Sequence, residues 1–236
     1  MIQLFIVFHK NIFDDCYKNI PQDVLDTYFT FYAVNEKIPK NYTKNKYKIM
    51  NEWELETYDS SFQERGYNEN SAIYHIYANK LHKKYKYIGF FQYDMIFNDN
   101  VIEFLKAHIQ DKPMYFPFKV FGYYFCDDNQ WCAPLVANFI IHDYERHFNR
   151  KFSTNEIYPL YNSYVLSIDT YEKIMKWVIQ LYDKMYPWCI QYPCITRQGC
   201  IGGIFERIMA YAIGQEKMPF IQLNINHENH FKDMSY

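Results

Sequence analysis

A single carboxylate interrupts an apolar stretch of this sequence. The run IGFFQYDMIF, residues 88–97, reads as a buried strand, yet it contains Asp94. A lone carboxylate is costly to bury, so a buried one is normally paired, hydrogen-bonded or bound to a metal. Two interpretations therefore stay open for Asp94. It binds a divalent cation through its oxygens, or it caps the turn that follows the strand.

Two further carboxylates are candidates for proton transfer. Glu206 in GGIFERIMAYAI is predicted near the start of a helix, where a carboxylate or a bound anion is stabilised. It could deprotonate a substrate hydroxyl, or it could simply pair with Arg207 or the backbone. Asp128 in FCDDNQW is the second candidate base, and Trp131 follows it as a platform for a sugar ring. The alternative for Asp128 is an ordinary polar turn.

Two histidines lie close together near the C-terminus. His227 and His230 occur in the segment NHENH. They could serve a metal if this segment folds over the site, and otherwise they are ordinary surface residues. The sequence offers no basis for choosing between the two, and His227 is taken as the candidate metal ligand.

Strands and helices alternate along most of the chain. Apolar runs of strand length predict strands at 2–8, 28–34, 47–50, 87–92, 114–118, 163–168 and 220–223. Helical spacing predicts helices at 71–84, 101–108, 134–148 and 170–186, and another after Gly203. This alternation indicates an α/β fold with a mostly parallel central sheet flanked by helices. No repeat or linker interrupts it, so residues 1–236 are predicted to form one domain.

Polar residues follow three of the predicted strands. They are His9-Lys10, Asn35-Glu36 and Gln92-Tyr93-Asp94. Ligands of open α/β sheets bind outside the carboxyl ends of the strands. The sequence therefore predicts a site at this edge of the sheet.

Composition excludes several classes of protein. A formal net charge of −2 argues against a nucleic-acid binder that relies on a large basic surface. The six cysteines form no C-x-x-C pair, which indicates reduced thiols and a cytoplasmic setting. No apolar run reaches transmembrane length, so no membrane span is expected. The 25 Tyr rings suit sugars and nucleobases, because each has an apolar face and a polar tip.

Three blocks of this sequence resemble a known family. YNENSAIYHIYAN, YKYIGFFQYDMIF and YNSYVLSIDTYEKIMKWVIQLYD…GGIFERIMAYAIG are similar, in order and spacing, to blocks of capsular-polysaccharide glycosyltransferases. Those enzymes carry an E-L-T-A-x-Y-W-I-W-K-N helix, a Y-I-G-L-x-H-Y-R-R strand and a late G-x-x-x-E-R-L helix. VFHKNIF and GFFQYDM more closely resemble the GT-A-like glycosyltransferase domains of large algal (chlorella-type) viruses. The resemblance covers nearly the whole chain.

The resemblance implies a GT-A-like fold that binds a UDP-sugar and Mn²⁺ or Mg²⁺. Asp94 falls where such enzymes place a ligand of the metal or the diphosphate, in a degenerate D-x-D motif with Gln92 as its first residue. The late metal ligand of the family, often a histidine, corresponds to His227. At Gln92-Tyr93-Asp94 the bacterial enzymes have H-Y-R instead, so they are uninformative about metal use here.

The resemblance also implies which residues hold the donor. Phe8, His9 and Asn35 fall where GT-A proteins hold the nucleoside, and Gln92 and Tyr93 lie beside the diphosphate. Glu69 matches the glutamate of the family's helix, and Glu206 matches the glutamate of the late E-R pair.

The resulting hypothesis is a metal-dependent, inverting glycosyltransferase. It would move glucose or a deoxyhexose such as rhamnose from a UDP-sugar to a glycan or glycoprotein acceptor, as viral relatives do on the capsid-protein glycan. Glu206 or Asp128 would be the base. The alternative is a non-catalytic carbohydrate-binding or scaffold domain that retains the fold.

Overall fold

A computed structural model describes residues 1–35, 45–121, 134–159, 161–191 and 200–227. Within these ranges, no helix combines the length and the apolar character that crossing a bilayer requires. The described residues form ten strands: β1 Ile2–Phe8, β2 Phe29–Ala33, β3 Ile49–Asn51, β4 Tyr87–Gln92, β5 Met95–Ile96, β6 Tyr115–Pro117, β7 Val120–Phe121, β8 Tyr158–Pro159, β9 Tyr164–Ser167 and β10 Asn226–His227.

The α-helices of the same ranges are α1 Gln22–Tyr28, α2 Ser61–Glu64, α3 Glu69–Ala78, α4 Val101–His108, α5 Pro134–Phe148, α6 Ile168–Val178, α7 Leu181–Gln191 and α8 Cys200–Gln215. Short 3₁₀ turns occupy Asp14–Tyr17, Glu52–Glu54 and Leu81–Lys84. Strands and helices alternate along the first half of the chain, as the apolar pattern predicts.

The central sheet has six strands in the order β3-β2-β1-β4-β9-β6. β1 pairs in parallel with both β2 and β4, and β2 pairs in parallel with β3. β9 runs antiparallel to its neighbours β4 and β6. Two further antiparallel pairs, β5 with β10 and β7 with β8, lie outside this sheet. The predicted α/β class with a mostly parallel sheet is confirmed.

Both faces of the sheet are buried. Val7 and Phe90 point to the face covered by α3, α5, α6, α7 and α8. Their chain neighbours Phe8 and Phe91 point to the opposite face, which packs against α4, the turn at 14–17 and the segment before β10. Successive side chains of a strand alternate between faces, and both faces need apolar residues here. This is why β1 and β4 read as continuous apolar runs.

Two predicted helices are shorter than their apolar pattern suggests. The helix predicted at 71–84 ends at Ala78, because Lys80 takes a left-handed backbone conformation with φ of 57°. The helix predicted at 170–186 is divided into α6, which ends at Val178, and α7, which begins at Leu181. Ile174, Trp177 and Val178 of α6 and Leu181 of α7 are all buried, so burial continues across the break. Apolar spacing alone therefore does not reveal where a helix is interrupted.

The predicted last strand, 220–223, is wrong as a regular strand. Only one parallel bridge is present, between Tyr115 and Phe220. The segment nevertheless runs beside β6, since the amide of Ile221 donates to Tyr115 O at 3.2 Å and that of Leu223 donates to Pro117 O at 2.8 Å. This course carries the chain to the carboxyl edge of the sheet, where β10 pairs with β5.

A buried polar network fixes the start of α3 to the 52–54 turn. Glu52, Ser71 and His75 are all fully buried. His75 Nε2 accepts a hydrogen bond from the Asp59 amide at 3.1 Å, so the ring hydrogen lies on Nδ1. That Nδ1 donates to Glu52 Oε1 at 2.8 Å, and the same oxygen accepts from the Ser71 hydroxyl. The carboxylate is thus stabilised by neutral donors rather than by a cation.

Replacing His75 with alanine is expected to lower the free energy of unfolding by ~2–4 kcal/mol. The substitution leaves a cavity and removes a donor from a buried carboxylate. Urea denaturation measures the change. The control is His108→Ala, because the hydrogen bond of His108 among the described residues lies within its own helix, to Phe104 O at 2.8 Å. A loss below ~1 kcal/mol is expected there, and equal losses in the two variants would contradict the network's role.

Candidate active site

Three parallel strands end at the same edge of the sheet and bring their polar successors together. His9 directly follows β1, Gln92 is the last residue of β4, and Asn35 lies two residues beyond β2. The register pairs Val7 with Gln92 and Phe8 with Ala33, so the three strands end at nearly the same level. All three polar side chains are partly exposed. The predicted edge therefore exists as a surface.

Glu69 connects two of these strand ends. It is the first residue of α3, where the helix N-terminus favours a carboxylate. Its Oε1 accepts from Gln92 Nε2 at 3.2 Å, and its Oε2 lies 3.7 Å from His9 Nε2. Burial raises the pKa of Glu69, but the hydrogen bond and charge of His9, with the bond from Gln92, outweigh it and leave the pKa below its ordinary value. Glu69 is thus ionised at neutral pH.

Asp94 and His227 form a pair beside this edge. Asp94 lies in the turn between β4 and β5 and is 4% exposed. Met95 pairs with His227 in the β5–β10 ladder, which brings the late histidine next to the carboxylate. His227 Nε2 lies 3.0 Å from Asp94 Oδ2. Asp94 Oδ1 is buried without a hydrogen-bond partner among the described residues, so Asp94 does not cap the following turn.

The donor set of this pair fits a divalent cation. A carboxylate oxygen with no partner and an imidazole nitrogen match the preferences of Mn²⁺, whereas Mg²⁺ favours oxygen alone. No group of three or more His, Cys, Asp or Glu side chains with metal-binding geometry occurs in the described part of the chain. The described residues therefore supply two ligands, and a cation here would take its further ligands from elsewhere, such as a bound anion or water.

Glu206 lies on the other side of the edge, in α8. It lies six residues beyond Cys200, the first described residue of α8. The expected stabilisation by the helix N-terminus is therefore wrong, because the electric field of a helix end fades within the first turn. Its Oε1 instead accepts from the Tyr161 amide at 2.9 Å. Burial, and then the negative charge of Glu69, raise the pKa of Glu206 to about 7, although Arg207 and the Tyr161 amide lower it. A carboxyl group with such a pKa can accept a proton near neutral pH.

The loop before β9 contributes residues that sequence reasoning missed. Tyr161 and Asn162 both have positive φ, 61° and 47°. The Tyr161 ring lies 5.5 Å from the ring of His227, while its amide holds Glu206. Asn162 is 4% exposed, and its Nδ2 donates to Asn70 Oδ1 at 3.2 Å. The one sequence signal was the YNS triplet before a strand, since Asn tolerates left-handed backbone.

Aromatic rings cover the β1 side of the edge. The Tyr93 ring lies 5.5 Å from that of Phe13 and 6.3 Å from that of His9, and all three are partly exposed. Phe13 was also missed: it ends the VFHKNIF stretch, but neither its residue type nor its spacing pointed to a site. The Phe8 ring is 1% exposed and belongs to the core, so it is not among the side chains that line the edge.

The structure thus brings together most of the predicted residues. His9, Gln92 and Glu69 are in contact, and Asp94 contacts His227. Glu206 is close enough to Glu69 for the negative charge of Glu69 to raise its pKa. Asp128, the second candidate base, and His230, the alternative to His227, lie outside the described residues.

Comparison with known proteins adds evidence for the fold. No protein-family model matches the chain, and no curated protein matches it. Among solved structures, the apo structure of the WbbM bifunctional glycosyltransferase is similar over 97% of this chain, with a TM-score of 0.58 and 13% sequence identity. The chain spans 45% of that protein's length. The likeness shows a shared fold, and the predicted GT-A-like architecture agrees with a glycosyltransferase neighbour.

Substituting Glu206 with glutamine is expected to stabilise the fold at pH 8 by ~1–3 kcal/mol and to change it little at pH 5. The pKa of Glu206 in the folded protein, about 7, lies above its ordinary value of 4.5. The folded state therefore loses stability as the pH rises between these two values, because the unfolded chain releases the proton first. Glutamine keeps an acceptor for the Tyr161 amide. Urea denaturation at the two pH values measures the effect.

Glu156 provides a control of opposite sign. The hydrogen bond from Lys217 is the main cause that lowers the pKa of Glu156. Glu156→Gln should therefore destabilise the fold at pH 8. If Glu206→Gln were destabilising at pH 8 as well, Glu206 would not be a carboxyl group with a raised pKa.

Proposed function

We propose that this chain is a metal-dependent glycosyltransferase that moves a sugar from a UDP-sugar to a hydroxyl of a glycan acceptor with inversion. One observation carries the proposal: a cation-fitting pair, Asp94 and His227, shares the carboxyl edge of the sheet with Glu206, whose pKa is raised to about 7. Transfer by direct displacement requires these two functions side by side.

The reaction breaks the bond between C1 of the sugar and the diphosphate oxygen and forms a bond from C1 to the acceptor oxygen. Glu206 takes the proton of the acceptor hydroxyl as that bond forms. Burial, together with the charge of the ionised Glu69, raises the pKa of Glu206 to about 7. The Tyr161 amide holds one Glu206 oxygen in place, which leaves the other oxygen to accept the proton.

Asp94 and His227 would hold the divalent cation, Mn²⁺ rather than Mg²⁺ on the basis of the imidazole ligand. When bound, the cation supplies charge neutralisation for the departing diphosphate. The aromatic group of His9, Phe13 and Tyr93 gives a flat apolar surface of the kind on which a nucleobase stacks. Asn35, two residues beyond β2, lies at the same edge of the sheet and would bind the nucleoside.

The finer parts of the proposal have their support in the sequence. The sugar, glucose or a deoxyhexose such as rhamnose, and the acceptor, a viral capsid glycoprotein, derive from the resemblance to algal-virus glycosyltransferase domains. The cytoplasmic setting derives from the scattered cysteines. The fold neighbour is a glycosyltransferase, which supports the general reaction class.

Calorimetry with UDP is expected to detect binding that strengthens when Mn²⁺ is present. Asp94→Asn should weaken the Mn²⁺-dependent binding by at least about tenfold, because asparagine keeps the shape of aspartate but lacks the charge that would bind the cation. Asp99→Asn is the matched control, since Asp99 is an exposed carboxylate five positions further along the chain. Absence of UDP binding in the wild-type protein, with or without Mn²⁺, would favour the non-catalytic alternative.

Glu206→Gln is expected to lower kcat by ~10²–10⁴-fold while UDP affinity stays unchanged. The reason is that glutamine cannot take the acceptor proton. In the wild-type protein, kcat/KM should rise with pH through about 7, as the carboxyl group ionises. Release of UDP from a panel of UDP-sugars, with and without methyl glycoside acceptors, follows the reaction. A variant that retained the wild-type rate and pH profile would exclude Glu206 as the base.

A further inference from the structure

A small recess opens between Glu69 and the loop before β9. It is lined by Val7, Glu69, Ile73, Phe90, Phe91, Gln92 and Asn162. Four of these seven residues are apolar, and three are polar. It has room for about one water-sized group. A hydroxyl therefore fits, whereas a whole sugar ring, a phosphate or an acetamido group does not.

The hydrogen-bond network around Asn70 fixes the orientation of the Asn162 amide. Asn70 Nδ2 donates to Gly202 O at 2.8 Å and to Tyr67 O at 3.3 Å, so Asn70 Oδ1 is an acceptor. Asn162 must present its Nδ2 to that oxygen, which it does at 3.2 Å. Asn162 Oδ1 consequently remains as a buried acceptor, and it has no partner among the described residues.

The other two polar residues of the recess also present acceptors. Glu69 is ionised and has only acceptor oxygens. Gln92 gives one Nε2 hydrogen to Glu69, which leaves its carbonyl oxygen as an acceptor and its second Nε2 hydrogen as a donor. A buried acceptor without a donor is costly, by about 1–3 kcal/mol. A ligand that brings a hydroxyl hydrogen into the recess removes that cost.

We propose that this recess recognises one hydroxyl of the transferred sugar, which donates its hydrogen bond to Asn162 Oδ1. This inference rests on the proposed function and deepens it. The substrate class is a neutral sugar that carries a free hydroxyl at the recognised position. A deoxy sugar lacking that hydroxyl leaves the acceptors unsatisfied, and an anionic substituent there is repelled by Glu69.

The position of the recess identifies the donor sugar as the occupant. Gln92 precedes Asp94 by two residues, so one side of the recess adjoins the proposed diphosphate site. Asn162 follows Tyr161, whose amide holds Glu206, so the other side adjoins the proposed base. The reacting carbon must lie between the leaving diphosphate and the activated acceptor. The recess is therefore next to the sugar that is transferred.

The test is a double-mutant cycle between the protein and the ligand, measured by calorimetry with Mn²⁺. The ligands are UDP, the UDP-hexose that binds most tightly in a panel, and its four monodeoxy-fluoro analogues at C2, C3, C4 and C6. Fluorine replaces a hydroxyl without donating a hydrogen bond. The protein variant is Asn162→Gly, because glycine accepts the φ of 47° without strain.

We expect one fluoro analogue to bind wild-type protein about 3- to 10-fold more weakly than the parent UDP-hexose. Asn162→Gly should weaken binding of the parent UDP-hexose by a similar factor and leave the affinity for UDP unchanged. It should bind that fluoro analogue as tightly as the wild-type protein does. Asn149→Gly is the matched control, since Asn149 has φ of 48° and is exposed. It should bind every ligand as the wild-type protein does.

Unchanged UDP affinity also shows that Asn162→Gly is folded. If it does not fold, the same cycle with Gln92→Leu removes another polar group of the recess and should couple to the same hydroxyl. If the effects of the protein substitution and of the fluorine on binding affinity are additive at all four positions, the inference is overturned but the proposed function stands. Absence of UDP binding in the wild-type protein overturns both.

Discussion

The parallel pairing of β1 with β2 and β4 is the constraint on which the candidate site depends. Parallel strands in register end at one edge, so the polar residues after each strand meet without any loop having to cross the sheet. Both faces of these strands are covered, and most side chains along them are apolar. Gln3 of β1 and Thr30 of β2 are polar, but they are buried at the opposite end of the strands and hydrogen-bond to each other. The polar side chains that are partly exposed, among them His9 and Gln92, lie where the strands stop.

Two glutamates at this edge are kept in different charge states by their surroundings. Glu69 has donors from two strand ends and the N-terminus of α3, which together outweigh its burial. Glu206 has one backbone donor, and it also experiences the charge of Glu69. The first carboxylate therefore acts as a fixed negative charge, and the second can exchange a proton near neutral pH. Two carboxyl groups with different pKa values are typical of sites in which one group holds a fixed charge and the other transfers a proton.

The fold and the edge could be predicted because both follow from local patterns. Apolar runs define β1 and β4, and Asp94 was noticeable because its charge interrupts one of them. Asn162 could not be found in this way. Its role depends on the amide of Asn70, 92 residues earlier, which is oriented in turn by a carbonyl of α8. The break between α6 and α7 was missed for a related reason, since burial continues across it and the apolar spacing does not change.

Tyr161 connects the two proposed chemical functions of the candidate site. Its amide holds Glu206, and its ring lies beside the ring of His227, so one residue contacts both the proposed base and the proposed metal ligand. Its left-handed backbone conformation, with φ of 61°, costs energy for a non-glycine residue. The same loop orients Asn162 toward the recess. The strain is therefore located in the segment that contacts both the proposed base and the proposed metal ligand. In a displacement reaction, a misplacement of reacting groups by about 1 Å is costly, so this is where a fixed backbone would matter.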